Sequence, residues 1–496
     1  MKRSLVAAAT LAAACTLTAA PAGVPADEAA RIARVTAPAT QFERAEPFES
    51  NPAGAGTVTK FVNSSSFSHP SANMSFERQL DFRVGDGIFR KLWVSAPSST
   101  ESSNGLGPLF NARSCQSCHI KDGRGAPPVG DEEAVSMFLR LSIPPQNEAD
   151  RAALAARIQS VIAEPTYGTQ LQNFSVQGVA AEGRMKIEYT EEVVTLADGA
   201  VVQLRRPRYR VEDLNYGPLH PQAMLSPRVA PTMLGMGLLE AIPEAAILAH
   251  ADPEDADGDG ISGRPNRVWS DETQRVELGR FGWKAGKAGV TDQSAHAFAG
   301  DIGISSYLVD APWGDCTPAQ AACREAPHGR HAEEGVEATR QMLDLVVFYS
   351  RNLAVPARRD VDAPQVLAGK QVFYESGCAS CHVPKFVTRR DSAEPEQSFQ
   401  LIWPYSDLLL HDMGEGLADH RPEGDADGRE WRTAPLWGIG LTEAVSGHTF
   451  FLHDGRARNL LEAILWHGGE AQAARDRVVA LQREQREALL AFLNSL

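Results

Sequence analysis

The chain has 496 residues, 43 % of them hydrophobic and 22 % charged, which is ample material for ordinary cores and excludes a generally disordered polypeptide. Its length allows two to four domains. A formal net charge of −15 excludes nucleic acid and anionic membrane surfaces as partners, and a redox partner docking by charge would be basic or would meet a local basic patch.

The N-terminus reads as a secretion signal over residues 1–22. Lys2 and Arg3 precede the apolar run Leu5 to Ala14, which is too short to span a membrane as a mature helix. Ala20-Pro21-Ala22 is an A-x-A cleavage site; Ala12-Ala13-Ala14-Cys15 is the alternative, a lipoprotein site with Cys15 lipidated. No later stretch reaches the ~18 apolar residues of a membrane span. Periplasmic export follows, soluble or anchored through Cys15. Residues 23–49, rich in Ala and Pro, read as a tether.

Asn104 to Ala112 leads into Cys115-Gln116-Ser117-Cys118-His119, and the same pattern returns as Cys378-Ala379-Ser380-Cys381-His382. C-x-x-C-H is the attachment signature of a c-type haem. Two thiols three positions apart lie on one face of a helical turn, where each can bond one vinyl group of the same porphyrin. The His that follows presents its imidazole to the iron. A thioredoxin-like C-x-x-C does not need the His, and a zinc site needs four ligands. Two covalent c-type haems are therefore expected. Of the seven cysteines, four belong to these motifs and Cys15 to the signal, leaving Cys316 and Cys323. In an oxidising space these two suit a short-range disulfide, with a reactive dithiol as the alternative.

After the first motif, Gly123, Gly125, Pro127 and Pro128 demand a loop. Ala152 to Ile162 reads as a helix. Strand patterns follow at Met185 to Tyr189, Val193 to Leu196 and Val201 to Leu204, with Asp198-Gly199 as a hairpin turn; a structural excursion is expected there. Val229 to Ile242 reads as an apolar helix. In Asp255-Ala256-Asp257-Gly258-Asp259-Gly260 the oxygens at positions 1, 3 and 5 and the Gly at 6 resemble a Ca²⁺ loop, although position 12 is Asn266 instead of Glu. Val336 to Leu353 is an amphipathic helix, Pro356 to Pro364 a linker, and Gln365 to Ser376 a helix leading into the second motif. Helices Leu460 to His467 and Val478 to Leu496 close the chain. These boundaries give an N-terminal haem-bearing domain, residues 50–355, and a C-terminal one, residues 356–496, in a mainly α fold with a small β-hairpin insertion in the N-terminal half.

Several longer motifs carry a family resemblance. They are Leu408-Leu409-Leu410-His411-Asp412-Met413-Gly414, Glu430 to Gly438, Leu452-His453-Asp454-Gly455-Arg456-Ala457 and Glu462 to Ala471. Gly235 to Ile242, Asp257 to Gly263 and Gly279 to Ala285 add to them. With these the chain resembles the di-haem oxidoreductase family, once called thiol oxidoreductases, over nearly its whole mature length, and through it the bacterial di-haem cytochrome c peroxidases. The resemblance implies two cytochrome-c-like domains, one haem each, with electron transfer between them. It implies a peroxidase-like enzyme that takes electrons at haem 2 from a small cytochrome or copper protein and reduces H₂O₂ or another oxidant at haem 1. The alternative is an electron-transfer cytochrome with both haems six-coordinate.

For haem 2, His467 occupies the place where the peroxidase relatives carry a distal Met, with Met413 as the second candidate. His453 and Asp454 are expected to brace the loop beneath. For haem 1, Thr291-Asp292-Gln293-Ser294-Ala295 is similar to the place of the relatives' pocket Glu. This implies Asp292 as acid–base residue and Gln293 as its polar neighbour. His220, His69 and His296 are further distal candidates, and Trp93 and Trp283 are candidates to lie between the haems.

Overall fold

The computed structural model describes residues 25–130 and 132–496. The signal peptide and the Cys15 lipidation site lie outside the described residues. The chain divides into two compact units, residues 1–37 and 38–496. In the first, α1 (Ala26–Thr36) has no buried residue.

The helices of the second unit that position the site are α2 (Phe76–Arg90), α3 (Val290–Ala297), α4 (Arg340–Arg351), α5 (Pro364–Glu375), α6 (Leu460–Leu465), α7 (Gln472–Ala480) and α8 (Arg483–Ser495). Its principal ribbons are β1 (Met137–Ser142) with β4 (Met224–Val229), β2 (Arg184–Thr195) with β3 (Val201–Glu212), β5 (Arg267–Ser270) with β6 (Arg275–Leu278), and β7 (Leu410–Asp412) with β8 (Glu430–Arg432).

Two helix pairs found the two motifs. α2 starts where Ser75 accepts the amide of Arg78, and α4 where Thr339 accepts that of Met342. The pair can touch because α2 carries Gly85, at which a Cβ would stand 2.3 Å from Leu345 O. Phe82 and Tyr349 then meet at 4.7 Å between centroids. α5 and α8 repeat the device. A Cβ on Gly369 would fall 1.9 Å from Ala488 O, and Phe373 packs on Phe492 at 5.1 Å. Cys115 lies against the apolar cluster of Phe89, Trp93, Phe298 and Tyr349, whereas Cys378 lies against that of Phe373, Trp403, Trp431 and Phe492.

The expected mainly α fold of two cytochrome-c-like domains is corrected. Helix accounts for 30 % and strand for 17 % of the chain, and every sheet among the described residues is two-stranded. The physical reason is pairing between segments, which spends the backbone hydrogen bonds of Met137–Ser142, Met224–Val229, Arg184–Thr195 and Val201–Glu212 between strands instead of within helices. The helix read over 152–162 is Glu148–Ala155, after which Ile162 pairs with Ile143. Of 229–242, only Met236–Glu240 is helical. The last helix is two, α7 and α8, broken at Leu481-Gln482.

The hairpin β2–β3 turns at Asp198-Gly199, where Gly199 takes φ 83°. It straps the C-terminal segments. Tyr209 Oη donates to Asp454 Oδ2 (2.8 Å), Arg205 Nε to Arg456 O (3.2 Å), and Asp198 at the tip pairs with Arg486 (2.7 Å). Residues 38–49, the end of the stretch read as a tether, and the stretch read as a linker both belong to the second unit. Glu49 is buried between Arg358 and Lys370, and Val58 pairs with Pro356 across the backbone. Cys316 and Cys323 form the expected disulfide.

Candidate functional site

The two C-x-x-C-H segments fold alike. Cys115–Cys118 is one helical turn capped by Ser114, which accepts the Ser117 amide, and Cys378–Ser380 is a 3₁₀ turn entered through Gly377 at φ 84°. Each following His packs near a Phe of the preceding helix, His119 by Phe89 of α2 (6.3 Å) and His382 by Phe373 of α5 (6.4 Å). Each is locked by its Nδ1, His119 to Pro231 O and His382 to Tyr405 O, both at 2.8 Å. A carbonyl can only accept, so Nδ1 carries the proton and Nε2 is left with a lone pair, as a metal-ligating imidazole requires. Burial pushes both imidazoles down to about 4, so they stand neutral at physiological pH. None of the four motif thiols is in a disulfide.

The second motif opens on a largely apolar cavity of about 350 Å³. Cys378, Cys381, His382, Met413 and His467 lie on its wall together with Trp283, Trp431 and Phe451. His467, 85 positions beyond His382, follows α6, which begins where Asn459 accepts the Glu462 amide. Its Nδ1 donates to Ala463 O (2.8 Å), again freeing Nε2, and burial lowers its pKa. A charge on His467 would oppose one on His382. Neutral His382 and His467, each with Nε2 unspent, on the wall of one apolar cavity suit a porphyrin held from both faces. Met413 shares that wall.

Three groups on this wall went unread or half-read in the sequence. His411 sits between Asp407 (Nε2 to Oδ2, 2.8 Å) and Glu470 (Nδ1 to Oε2, 2.6 Å), with Cys381 Sγ 3.6 Å from Nδ1. Burial favours its neutral form, but the two carboxylates outweigh burial and hold it protonated well above the usual range. The Asp407/His411 spacing was legible; Glu470 was not. His453 stacks flat on Trp431 (3.7 Å, 11°), and its Nε2 is buried with no hydrogen bond. Burial lowers it to about 3. Asp454 does brace the loop, pairing with Arg456 (2.8 Å) and accepting from Tyr209. Trp283 Nε1 donates to Val229 O (2.9 Å), two residues before the Pro231 carbonyl that anchors His119. Trp93 is fully buried against Phe298.

Asp292 is buried on α3. Its Oδ1 accepts the amides of Asp271 (2.9 Å) and Glu272 (3.1 Å) in the β5–β6 turn, and its Oδ2 is buried without a partner. Gln293 beside it is half-buried. The apolar face of α3, Val290 and Ala295, belongs to the cluster against which Cys115 lies. Neither Asp292 nor Gln293 is on the wall of the second cavity, nor are the other histidines. His69 meets Lys60 (3.5 Å), His220 accepts the Gln222 amide, and His296 pairs with Asp271 (2.7 Å). In the acidic turn the carboxylates that converge are Asp252, Asp255 and Asp257, within 4.8 Å of one another. Asp259 is outside that group and accepts the Ile261 amide.

The family model described as "Di-haem oxidoreductase, putative peroxidase" matches residues 49–496. The chain belongs to the di-haem oxidoreductase family. No curated protein matches it. Among solved structures it is similar to a chain of Kuenenia stuttgartiensis hydrazine synthase pressurized with xenon, at 16 % identity and a TM-score of 0.23, over 38 % of this chain and 65 % of that one. So weak a likeness carries no argument about this family member. No helix among its described residues is long and apolar enough to cross a membrane.

Proposed function

We propose that this di-haem oxidoreductase carries two covalent c-type haems and acts as an exported, peroxidase-like enzyme. The observation that supports this most is the repeated motif whose histidines are both fixed through Nδ1 to a backbone carbonyl at 2.8 Å. Cys115, Cys118 and His119 would hold the first haem; Cys378, Cys381 and His382, together with His467, would hold the second. Bound haem supplies one-electron chemistry and, where one axial position is open, a place for peroxide.

The chain's own residues do the rest. His382 and His467, by both holding one haem, would suit it to electron entry from a small cytochrome or copper protein. Trp283 lies between that cavity and the carbonyl chain that anchors His119, a covalent and hydrogen-bonded route between the sites. At the first site Asp292, with one oxygen spent on the β5–β6 turn and Oδ2 unspent, would take a proton from peroxide and return it to the leaving oxygen, with Gln293 as neighbour. The balance is H₂O₂ with two electrons and two protons giving two waters. A Ca²⁺ ion, if part of this enzyme, belongs at Asp252, Asp255 and Asp257. The compartment is the periplasm, where c-type attachment and the disulfide are both at home.

The test is stoichiometry with spin state. Denatured protein is expected to keep two haems per chain, and Cys118→Ala to lose one of them. Electron paramagnetic resonance of the oxidised protein should show one high-spin haem. Haem extractable into acid-acetone overturns covalent attachment. Two low-spin haems with no peroxide reaction would make the protein an electron carrier instead.

A further inference from the structure

Most buried cations among the described residues have a carboxylate. Lys284 pairs with Asp419, Arg228 with Glu423, Arg456 with Asp454 and Arg358 with Glu49. Arg280 is an exception whose guanidinium is taken up by two carbonyls, Leu239 O and Ile242 O. Three arginines on the wall of the second cavity are left less satisfied: Arg475, whose Nε is buried without an acceptor, and Arg124 and Arg432, which share Trp283 as a neighbour. Arg124 gives Nη2 to Leu452 O, but its Nε is buried without an acceptor. Arg432 spends Nε on Gly282 O (2.9 Å) and Nη1 on Thr433 O (3.1 Å), leaving Nη2 without an acceptor among the described residues. Neither has a carboxylate within ion-pair distance among those residues. Burial lowers both, to about 10, so both stay charged at neutral pH. Asp454 acts on Arg124 and Asp407 on Arg432 only from beyond ion-pair distance, so each guanidinium lacks the direct partner that offsets burial.

The two converge on one feature. Arg124 lies over the Trp283 ring at 5.2 Å, and the Arg432 amide donates to Trp283 O (2.9 Å). The motif thiols have other neighbours. Arg477 gives Nη1 to Ser376 O (3.2 Å), two residues before Cys378, and Cys381 faces His411. A porphyrin tethered through its vinyl groups presents its two propionates at the opposite edge.

We propose that Arg124 and Arg432 form a dicarboxylate site at the Trp283 end of the second cavity, and that it takes the two propionates of the second haem. This rests on the di-haem reading above. Each guanidinium meets a carboxylate by charge-assisted hydrogen bonds, the strong kind that desolvated sites favour. Arg124 stands five positions after His119, so the loop that follows the first motif supplies a cation to the second cofactor. Occupancy of one site thereby orders a loop of the other.

The experiment compares R124Q, R432Q, R124K and R432K, each checked first for two covalent haems per chain, by the midpoint potential of the second haem. A lost cation favours the oxidised iron, so each Gln variant is expected to lower that midpoint, and each Lys variant to restore most of the shift. Loss of packing alone would not be mended by Lys. Unchanged midpoints in both Gln variants, with both haems attached, would overturn the assignment. So would a shift confined to R475Q, which removes the remaining guanidinium with a buried, unpartnered Nε on this wall. Should the Gln variants fail to mature, wild-type protein with carboxyl-¹³C-labelled propionates is examined by infrared difference spectra stepped across the second haem's midpoint. Labelled bands of ion-paired carboxylates are expected; bands of protonated or water-exposed carboxyls would overturn it. Absence of covalent haem in wild type is a failure of the di-haem reading, seen separately in the haem count.

Discussion

Lys284→Met tests the wall behind the second cavity. Lys284 is fully buried, and its ammonium meets Asp419 Oδ1 (2.8 Å), Arg421 O (2.9 Å) and Asp427 O (2.7 Å). It also stands 4.6 Å from the Trp431 ring, on which His453 is stacked. Removing the ammonium leaves a buried carboxylate and two carbonyls short of a donor. Breaking one side of a buried pair costs about 3–5 kcal/mol. Asp419 keeps the Ser226 hydroxyl (2.6 Å) and the Arg421 amide (3.0 Å), which places the loss near the lower bound. Losing a cation–π contact adds ~0.5–2 kcal/mol. We therefore expect K284M to destabilise by about 3.5–5 kcal/mol, read from denaturant midpoints by tryptophan fluorescence. D419N alone should also destabilise, because it strands the ammonium. In the K284M/D419N double variant the costs should fall short of additive by more than about 1 kcal/mol. A K284M loss under about 1 kcal/mol, or strict additivity, would refute the view that a paired charge supports this wall.

His467→Ala should convert a low-spin haem to high-spin or to an altered low-spin form, seen by electron paramagnetic resonance, while the other haem is unchanged; loss of a sulfur-to-iron charge-transfer band in Met413→Ala would instead make Met413 the ligand. Asp292→Asn should slow peroxide oxidation of the reduced protein by ~10²–10⁴ with both haems retained, and turnover at the wild-type rate would remove Asp292 from the reaction. His411→Gln should cost stability in a pH-dependent way. His411 is raised above 6.5, so its contribution is whole below that pH and is lost as pH rises through its folded value. Glu470 is lowered from 4.5 to about 2, so its contribution is whole above 4.5 and is lost on acidification towards 2. The stability gap between wild type and H411Q should thus be widest between pH 4.5 and 6.5 and narrow on either side; a gap that widened above that window would contradict the ion-paired imidazolium.

What the sequence by itself determined is short in range. The two C-x-x-C-H turns and the Asp198-Gly199 hairpin depend on residues within one turn, so spacing predicted them, and the Cys316–Cys323 disulfide followed from the count of cysteines left over and their place in one loop. The helices α4 and α5 were legible within a few residues because α4 carries an apolar stripe behind its cap Thr339, and α5 opens on Pro364 in its first turn. The fold class was not. Apolar windows at 152–162 and 229–242 satisfy helical periodicity locally, while the competing cross-chain pairings, Ile143 with Ile162 and β1 with β4, come from segments no window contains. The second site shows the same division. His382 announced itself, and a family resemblance pointed to His467. Only the folded chain brought Arg124, Trp283, His453 and Glu470 to one cavity, because their meeting depends on packing energy summed over the whole unit and on no local preference of their own.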